Sequence, residues 1–193
     1  MSVPRRFVGA WERETLEVGG APVAGIGRAL WIEGGGTYVD VRAPGSVASG
    51  TSFGGRSTWR APVFTWHHDL DLHPRPGTAD RGELILRDDL IIERGSGIDG
   101  GTAEYEERWR RRPAANVLAA IATHATGLAV RVGDHAALVF APPAPRAPGA
   151  RAWQCRNGDW NCVITLGAEI DCPGPDGSGW SLTRGWSAAR PTR

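Results

Sequence analysis

The chain has 193 residues, enough for one domain of ordinary size with a buried core, and its formal net charge is +1. All 22 basic residues are Arg, and they alternate with 21 acidic residues, so no basic stripe could follow a phosphate backbone. The absence of Lys also excludes Schiff-base chemistry. The sequence has neither the apolar run of a spanning helix nor that of a signal peptide. We therefore expect a cytoplasmic protein that binds neither nucleic acid nor membrane.

Breaker residues divide the sequence into short pieces. The 27 Gly and 14 Pro leave no room for long helices, while nine Trp supply apolar area for a core. The pieces between the breakers alternate apolar and polar residues, as strands do. In chain order they are GAWERETLEV (9–18), RALWIE (28–33), TYVDVRA (37–43), PVFTWHHDLDL (62–72), GELILR (82–87), LIIERG (90–95), AEYEERWRR (103–111), GLAVRVG (127–133), HAALVFA (135–141), RAWQCR (151–156), DWNCVITLG (159–167) and WSLTRGWS (180–187).

These twelve segments predict an all-β fold. We expect a single domain over residues 1–193, built as one antiparallel β-barrel with short connecting turns, because closing the sheet removes its exposed edges. The glycines at 34–36 and the stretch SFGGRS at 52–57 are expected to form hairpin turns, as is the Asn157-Gly158 dipeptide. The Ala-rich stretch at 113–127 fits a helix or a strand, and we expect a strand.

Two parts of the sequence resemble known barrels. Gly9-Ala10-Trp11 resembles the G-x-W signature of lipocalin-like (calycin) barrels, which implies that an Arg of the last strand packs over the Trp; Arg184 stands where that residue would be. The order TWHHDLD (65–71), LIIERG (90–95), EYEERWR (104–110) and GLAVRVG (127–133) is similar to the fungal Hri family of lipocalin-like proteins. This resemblance implies a lipocalin-like barrel and does not imply an activity.

Alternation along two strands selects the candidate site residues. In the segment 63–72 the inward face is expected to carry Phe64, Trp66, His68, Leu70 and Leu72. In the segment 103–111 the inward side chains are Tyr105, Glu107 and Trp109, and Glu93 shares a face with Ile91. We therefore consider His68, Glu93 and Glu107 as candidate acid/base residues, and Phe64, Trp66, Tyr105 and Trp109 as candidate ligand-binding residues.

The buried polar set has two interpretations. A neighbouring carboxylate raises the pKa of an imidazole, and burial raises the pKa of a carboxyl, which suits general acid/base catalysis. Alternatively, internal polar groups satisfy one another and only fix the register of the strands. The sequence leaves both interpretations open for His68, Glu93 and Glu107.

The run HHDLDLH also places His67, Asp69, Asp71 and His73 on one face of a strand. Successive side chains on one face of a straight strand lie about 6.7 Å apart, too far to converge on one ion, so we expect a solvated outer face and no metal. The Gly-rich pieces precede no helix that could hold a phosphate, and no G-x-S-x-G motif is present. We therefore expect no cofactor.

Three functions remain possible. The first is the binding of a small hydrophobic or aromatic ligand in a Trp-lined barrel cavity. The second is cofactor-independent catalysis in the same cavity, by an isomerase, cyclase or lyase that uses His68 and a carboxylate. The third is a protein-interaction module with a solid barrel. A cavity of about 300 Å³ or more would separate the first two from the third. The oligomeric state and the ligand's identity do not follow from the sequence.

Overall fold

A computed structural model describes residues 2–45, 51–73, 79–97, 102–114, 118–141, 145–167 and 180–182. Within these ranges the regular structure is β, apart from one 3-10 turn at Arg5–Phe7. The predicted all-β fold is therefore confirmed. None of the described residues forms a helix that is long and apolar enough to cross a membrane.

The first sheet closes into a barrel. Its strands are β1 (Gly9–Val18), β2 (Ala21–Pro22), β3 (Ala29–Glu33), β4 (Thr37–Arg42), β5 (Ser52–Arg60), β6 (Val63–Asp71), β7 (Ala79–Arg87), β8 (Leu90–Ser96) and β9 (Glu104–Arg111). Their order is β2-β1-β3-β4-β5-β6-β7-β8-β9, and β1 also pairs antiparallel with β9. Eight strands thus form the closed antiparallel barrel expected from the sequence, and β2 is an extra strand beside β1.

A second sheet packs on the outside of this barrel. Its strands are β10 (Ala119–His124), β11 (Gly127–Val132), β12 (His135–Phe140), β13 (Gly149–Arg156), β14 (Asp159–Gly167) and β15 (Ser181–Leu182). They are ordered β14-β13-β12-β11-β10-β15, and β11 and β12 lie against β3 and β4. The sequence predicts one barrel for all strands, but the strands after Arg111 form a separate layer. The single domain over residues 1–193 remains a prediction.

The described residues form three apolar clusters, of which the third lies within the second sheet and comprises Ala122, Ala129, Ala136, Leu138 and Trp153. Inside the barrel, Trp11, Trp31, Phe64, Trp66 and Trp109 belong to one aromatic cluster. The second core lies between the barrel and the second sheet; its members include Leu30, Ile32, Val39, Val41, Leu128, Val130, Val132, Ala137 and Val139. Both faces of β3 are therefore covered, which explains why ALWIE is buried throughout.

The predicted turns are partly correct. The glycines at 34–36 join β3 to β4, and Asn157-Gly158 joins β13 to β14 with φ angles of 55° and 91°. The prediction for SFGGRS is wrong, because these residues lie within β5. A Cβ on Gly54 would lie 3.0 Å from Val139 of the second sheet, so glycine permits close packing there and does not mark a turn. The predicted strand in the Ala-rich stretch is observed as β10, while residues 115–117 lie outside the described residues.

Candidate ligand-binding cavity

A cavity of about 400 Å³ lies inside the barrel. All eight barrel strands contribute side chains to its wall. The aromatic part of the wall consists of Trp31, Phe53, Trp66, Tyr105 and Trp109. Three of the four candidate ligand-binding residues, Trp66, Tyr105 and Trp109, thus lie on the wall. The space is large enough for a compact organic molecule.

Phe64, the fourth candidate, lies behind this wall. Its ring is fully buried and packs 4.6 Å from Trp66 and 5.5 Å from Trp31, measured between ring centroids. Phe64 therefore supports two wall residues and does not itself line the cavity.

Exposed residues mark the mouth of the cavity. His73, Asp80, Arg81 and Ser96 line the cavity and are solvent-exposed, whereas most of the other lining residues are buried or half-buried. The cavity therefore opens to solvent on this side.

Two arginines lie deeper, among carboxylates. Nη1 of Arg13 is 2.8 Å from Oε1 of Glu107, and Nη2 of Arg42 is 2.8 Å from Oδ2 of Asp40. The Arg42 guanidinium also lies 3.6 Å from Glu107 and over the rings of Phe53 and Trp109, at 5.3 and 5.6 Å from their centroids. The inner wall is thus both aromatic and ionic, and its buried charges largely compensate one another.

Glu93 lies directly opposite Glu107 in the pairing of β8 with β9. The Tyr105 hydroxyl donates to Oε1 of Glu93 at 2.7 Å, and Nε1 of Trp109 donates to Oε2 at 3.0 Å. Burial raises the pKa of Glu93 to about 8, and repulsion from Glu107 adds to this effect. At neutral pH the side chain of Glu93 is therefore predominantly a neutral acid. Gly82 makes room for it, since a Cβ there would lie 2.8 Å from Cγ of Glu93.

His68 is held near the mouth between two carboxylates. Its Nδ1 is 3.1 Å from Asp71, its Nε2 is 3.2 Å from Asp80, and its ring stacks on Phe53 at 4.0 Å. Burial alone would lower the pKa of His68, but the hydrogen bonds and charges of Asp71 and Asp80 outweigh it and raise the pKa to about 9. His68 is therefore a cation at neutral pH.

A β-bulge interrupts the regular alternation that the sequence predicts for β6. Gly54 pairs with Leu70 and Gly55 pairs with His68, so Asp69 is the extra residue. Beyond the bulge the faces exchange: Asp71 lines the cavity. Leu70 and Leu72, expected inside, pack on the core between the barrel and the second sheet.

The run that suggested a metal site is therefore divided by this bulge. Asp69 stays outside and pairs with Arg56 at 3.0 Å, while Asp71 and His73 line the cavity and its mouth. Among the described residues, no group of three or more His, Cys, Asp or Glu side chains could hold a metal ion.

The sequence-based candidates omit the polar residues of the inner wall, Arg13, Asp40 and Arg42, and also polar residues near the mouth such as Asp80. Alternation could have found the three inner residues, because Arg13 follows Trp11 by two positions, and Asp40 and Arg42 follow Tyr38 by two and four. Charged residues are normally expected at the protein surface. Ion pairing among these residues in the folded barrel offsets the cost of burying them.

The Trp of the G-x-W motif is fully buried, and its Nε1 donates to the Phe7 carbonyl at 2.9 Å. An Arg does pack over it, but this is Arg111, whose Cζ lies 4.0 Å from the Trp11 ring centroid. Arg111 is the last residue of β9, which closes the barrel against β1. Arg184 lies outside the described residues.

The closed eight-stranded barrel is consistent with a lipocalin-like fold. Comparison of the chain with protein-family models, with curated proteins and with solved structures finds no match.

Proposed function

We propose that this protein binds a small aromatic ligand in the barrel cavity. The observation that carries the proposal is a cavity of about 400 Å³ with five aromatic side chains on its wall. Small-molecule sites usually need a volume of about 300 Å³ or more, and this cavity exceeds that volume. An interaction module with a solid barrel would contain no such space.

The polar groups of the wall narrow the chemical class of ligand that the cavity can bind. A purely hydrophobic molecule would remove Arg13, Arg42, Asp40 and Glu107 further from water without offering them a hydrogen bond. An aromatic ring that carries a polar or charged group would stack on the indoles and also reach this ionic cluster. We therefore favour an aromatic ligand with a polar group over an aliphatic one.

Saturation-transfer NMR tests this proposal with three probes of one ring and similar size: phenethylamine, 2-phenylethanol and phenylacetate. We expect at least one to bind. The variant Ser96→Trp, which places an indole at the cavity mouth, should abolish that binding, and Thr165→Trp on the exposed face of β14 should leave it unchanged. Failure of all three probes, or equal binding to Ser96→Trp, would contradict the cavity proposal.

Proton-transfer catalysis is a second candidate function. It is favoured by the pairing of Glu93 with Glu107, because one carboxyl keeps its proton near neutral pH while the other is ion-paired with Arg13. His68 is less suited to accept a proton, since both ring nitrogens face carboxylates and its pKa is about 9. In this proposal Glu93 transfers the proton, and Glu107 holds Arg13 and Arg42.

The ring opening of 5-nitrobenzisoxazole reports on such a carboxylate, because a base removes the ring proton as the N–O bond breaks and a coloured phenolate forms. We expect a rate that rises with pH through about 8 and disappears in Glu93→Gln. Glu83→Gln, on an exposed position of β7, is the control. A rate that is equal in both variants would contradict catalysis by Glu93.

The relationship to the fungal Hri family is also a proposal. It rests on the resemblance of segments that lie in β6, β8 and β9 of the barrel and in β11 of the second sheet. A solved structure of a Hri protein with a barrel and an outer sheet in the same strand order would support it, and a different order would contradict it.

A further inference from the structure

We propose that the ligand of this cavity is a small organic cation, held by the carboxyl groups of Asp40 and Glu93. Its cationic group is an ammonium or amidinium, and the rest of the molecule is about the size of an aromatic ring. This inference rests on the proposed function and specifies its ligand. The charged groups of the wall, one carboxylate oxygen without a donor and the aromatic faces all favour a cation.

The buried wall carries more carboxyl groups than cations. Its side chains with little exposure include four carboxyls, Asp40, Asp71, Glu93 and Glu107, against three basic groups, Arg13, Arg42 and His68. Arg13 pairs with Glu107, Arg42 with Asp40, and His68 with Asp71. Glu93 is left, and both of its oxygens accept hydrogen bonds from neutral donors, Tyr105 and Trp109. If Glu93 ionises, it is therefore the one buried carboxylate of this group for which the wall supplies no paired cation.

Asp40 has one carboxylate oxygen that accepts no hydrogen bond from the described residues. Its residue is only 4% exposed, and Arg42 occupies its Oδ2. Within the described part of the chain, Oδ1 of Asp40 has no hydrogen-bond partner. A buried carboxylate oxygen without a donor is costly, so a ligand that brings an N–H group would gain from meeting it.

The aromatic residues add to the attraction. Arg42 already lies over the faces of Phe53 and Trp109, which shows that these faces suit a cation. Trp31 and Trp66 provide further indole surface on the same wall. Nε1 of Trp31, the cross-strand partner of Asp40, also lacks a partner within the described residues, so an acceptor atom beside the cationic group would find a donor there.

Binding of a cation should release the proton of Glu93. The groups that face Glu93 are Tyr105 and Glu107 from β9 and Arg42 and Asp40 from β4, while β7 presents Gly82. Burial and the two neighbouring acids favour the protonated form when the site is empty. A positive charge in the cavity reverses this balance, and the proton leaves to the buffer as the ligand enters.

Isothermal titration calorimetry with phenethylamine, 2-phenylethanol and phenylacetate tests the effect of ligand charge on affinity, because the three probes have similar size and shape. We expect phenethylamine, an ammonium ion at neutral pH, to bind at least about tenfold more tightly than the alcohol, and phenylacetate to bind most weakly. Equal or tighter binding of the alcohol or the acid would overturn the cation proposal and leave the cavity proposal intact. Binding of none of the three would overturn both.

Repeating the phenethylamine titration in buffers of different ionisation enthalpy measures the released protons. We expect up to about one proton per ligand near pH 7, falling to none above about pH 9. Phenethylamine binding without proton release near pH 7 would overturn the assignment of Glu93 to the site.

Variants complete the test. Glu93→Gln should reduce the preference for phenethylamine over 2-phenylethanol to within about threefold and abolish the proton release, with unchanged affinity for the alcohol. Glu83→Gln, an exposed charge on β7, is the matched control and should behave as the parent chain. If Glu93→Gln does not fold, Asp40→Asn serves instead and should lose at least about tenfold in phenethylamine affinity only. An unchanged preference in the folded variant would overturn the proposal.

Discussion

Trp11 connects the first and last strands of the barrel. Its indole donates to the Phe7 carbonyl, and Arg111, which lies over the ring, donates to the carbonyls of Val8 and Arg6. Arg111 thus combines a cation–π contact with charge-assisted hydrogen bonds to the segment that precedes β1. The pair fixes the N-terminal segment where the barrel closes.

We expect Trp11→Ala to lower the free energy of unfolding by about 3 to 5 kcal/mol and Arg111→Ala by about 1 to 3 kcal/mol. Arg110→Ala is the matched control; Arg110 forms an exposed ion pair with Glu14, so the loss should stay below about 1 kcal/mol. Urea denaturation measures all three. A loss for Trp11→Ala below about 1 kcal/mol would show that the G-x-W match is accidental.

His68 is a second residue whose role can be tested by substitution. Its replacement by Ala removes the cation between Asp71 and Asp80 and the stacking on Phe53, so two carboxylates are left close together. We expect a loss of about 1 to 3 kcal/mol, or several degrees of melting temperature, measured by a thermal scan. His67→Ala, the half-buried neighbour on the same strand, is the control. An unchanged melting temperature together with lost ligand binding would indicate a functional and not a structural role for His68.

Gly54 sets the distance between β5 and the second sheet. A Cβ there would lie 2.9 Å from the Tyr38 carbonyl oxygen and 3.0 Å from Cγ1 of Val139. We expect Gly54→Ala to cost about 1 to 3 kcal/mol in urea denaturation, because a well-packed interface has no space for a methyl group. In a double-mutant cycle, Val139→Ala should recover part of this loss. Strictly additive losses would contradict a steric conflict with Val139.

Comparison of the predicted segments with the observed strands shows which parts of the fold the sequence predicts. Each of the twelve predicted segments contains a strand, because alternation and breakers are local signals. β5 was missed, since Gly54 and Gly55 serve long-range packing and a bulge rather than a turn. The same bulge exchanges Leu70 and Asp71 between the two faces of β6, which periodicity alone does not reveal. Trp66, Glu107 and Trp109 lie inside as predicted, because their strands are regular between Val63 and His68 and throughout β9.

The division of the strands into two sheets depends on long-range pairing. The pairing of β9 with β1 closes the barrel at Arg111 and leaves later strands to pair with one another. Leu30, Ile32, Val39 and Val41 then form an apolar outer face of the barrel, and the second sheet covers it. Among the described residues, the cavity is lined from the barrel strands and their connections, so the cavity and the packing of the second sheet use different faces of the same strands.

Buried titratable groups give the molecule a characteristic pH dependence of stability. The pKa of Glu33 is raised to about 7 by burial, that of Glu93 to about 8 by burial and Glu107, and that of His68 to about 9 by Asp71 and Asp80, which outweigh its burial. A group that holds its proton more tightly in the folded state stabilises the protein below its unfolded pKa, and this contribution disappears as the pH rises through the folded pKa.

We therefore expect the free energy of unfolding to fall between about pH 6.5 and pH 9, measured by urea denaturation at several pH values. His135 does not oppose this trend, because burial and Arg112 lower its pKa and it is neutral in both states above its unfolded pKa of 6.5. The double variant Glu33→Gln, Glu93→Gln should make the fall shallower below about pH 8, and the fall due to His68, which spans about pH 6.5 to 9, should remain. Stability that rises across this window would contradict the protonation states assigned here.

The shared core predicts that both sheets unfold together. Because Leu30, Ile32, Val39 and Val41 of the barrel pack on Leu128, Val130, Val132 and Val139, separation of the sheets would expose both surfaces to water at once. Native-state hydrogen exchange should therefore give the same opening free energy for amides in β3 and in β11, and fluorescence and circular dichroism should show one coincident transition. A chain that ends at Arg112 would expose the apolar outer face of the barrel, and we expect it to aggregate. If instead β11 exchanges at a lower free energy than β3 and the shortened chain stays monomeric, the chain contains two domains and the single domain predicted from its sequence is wrong.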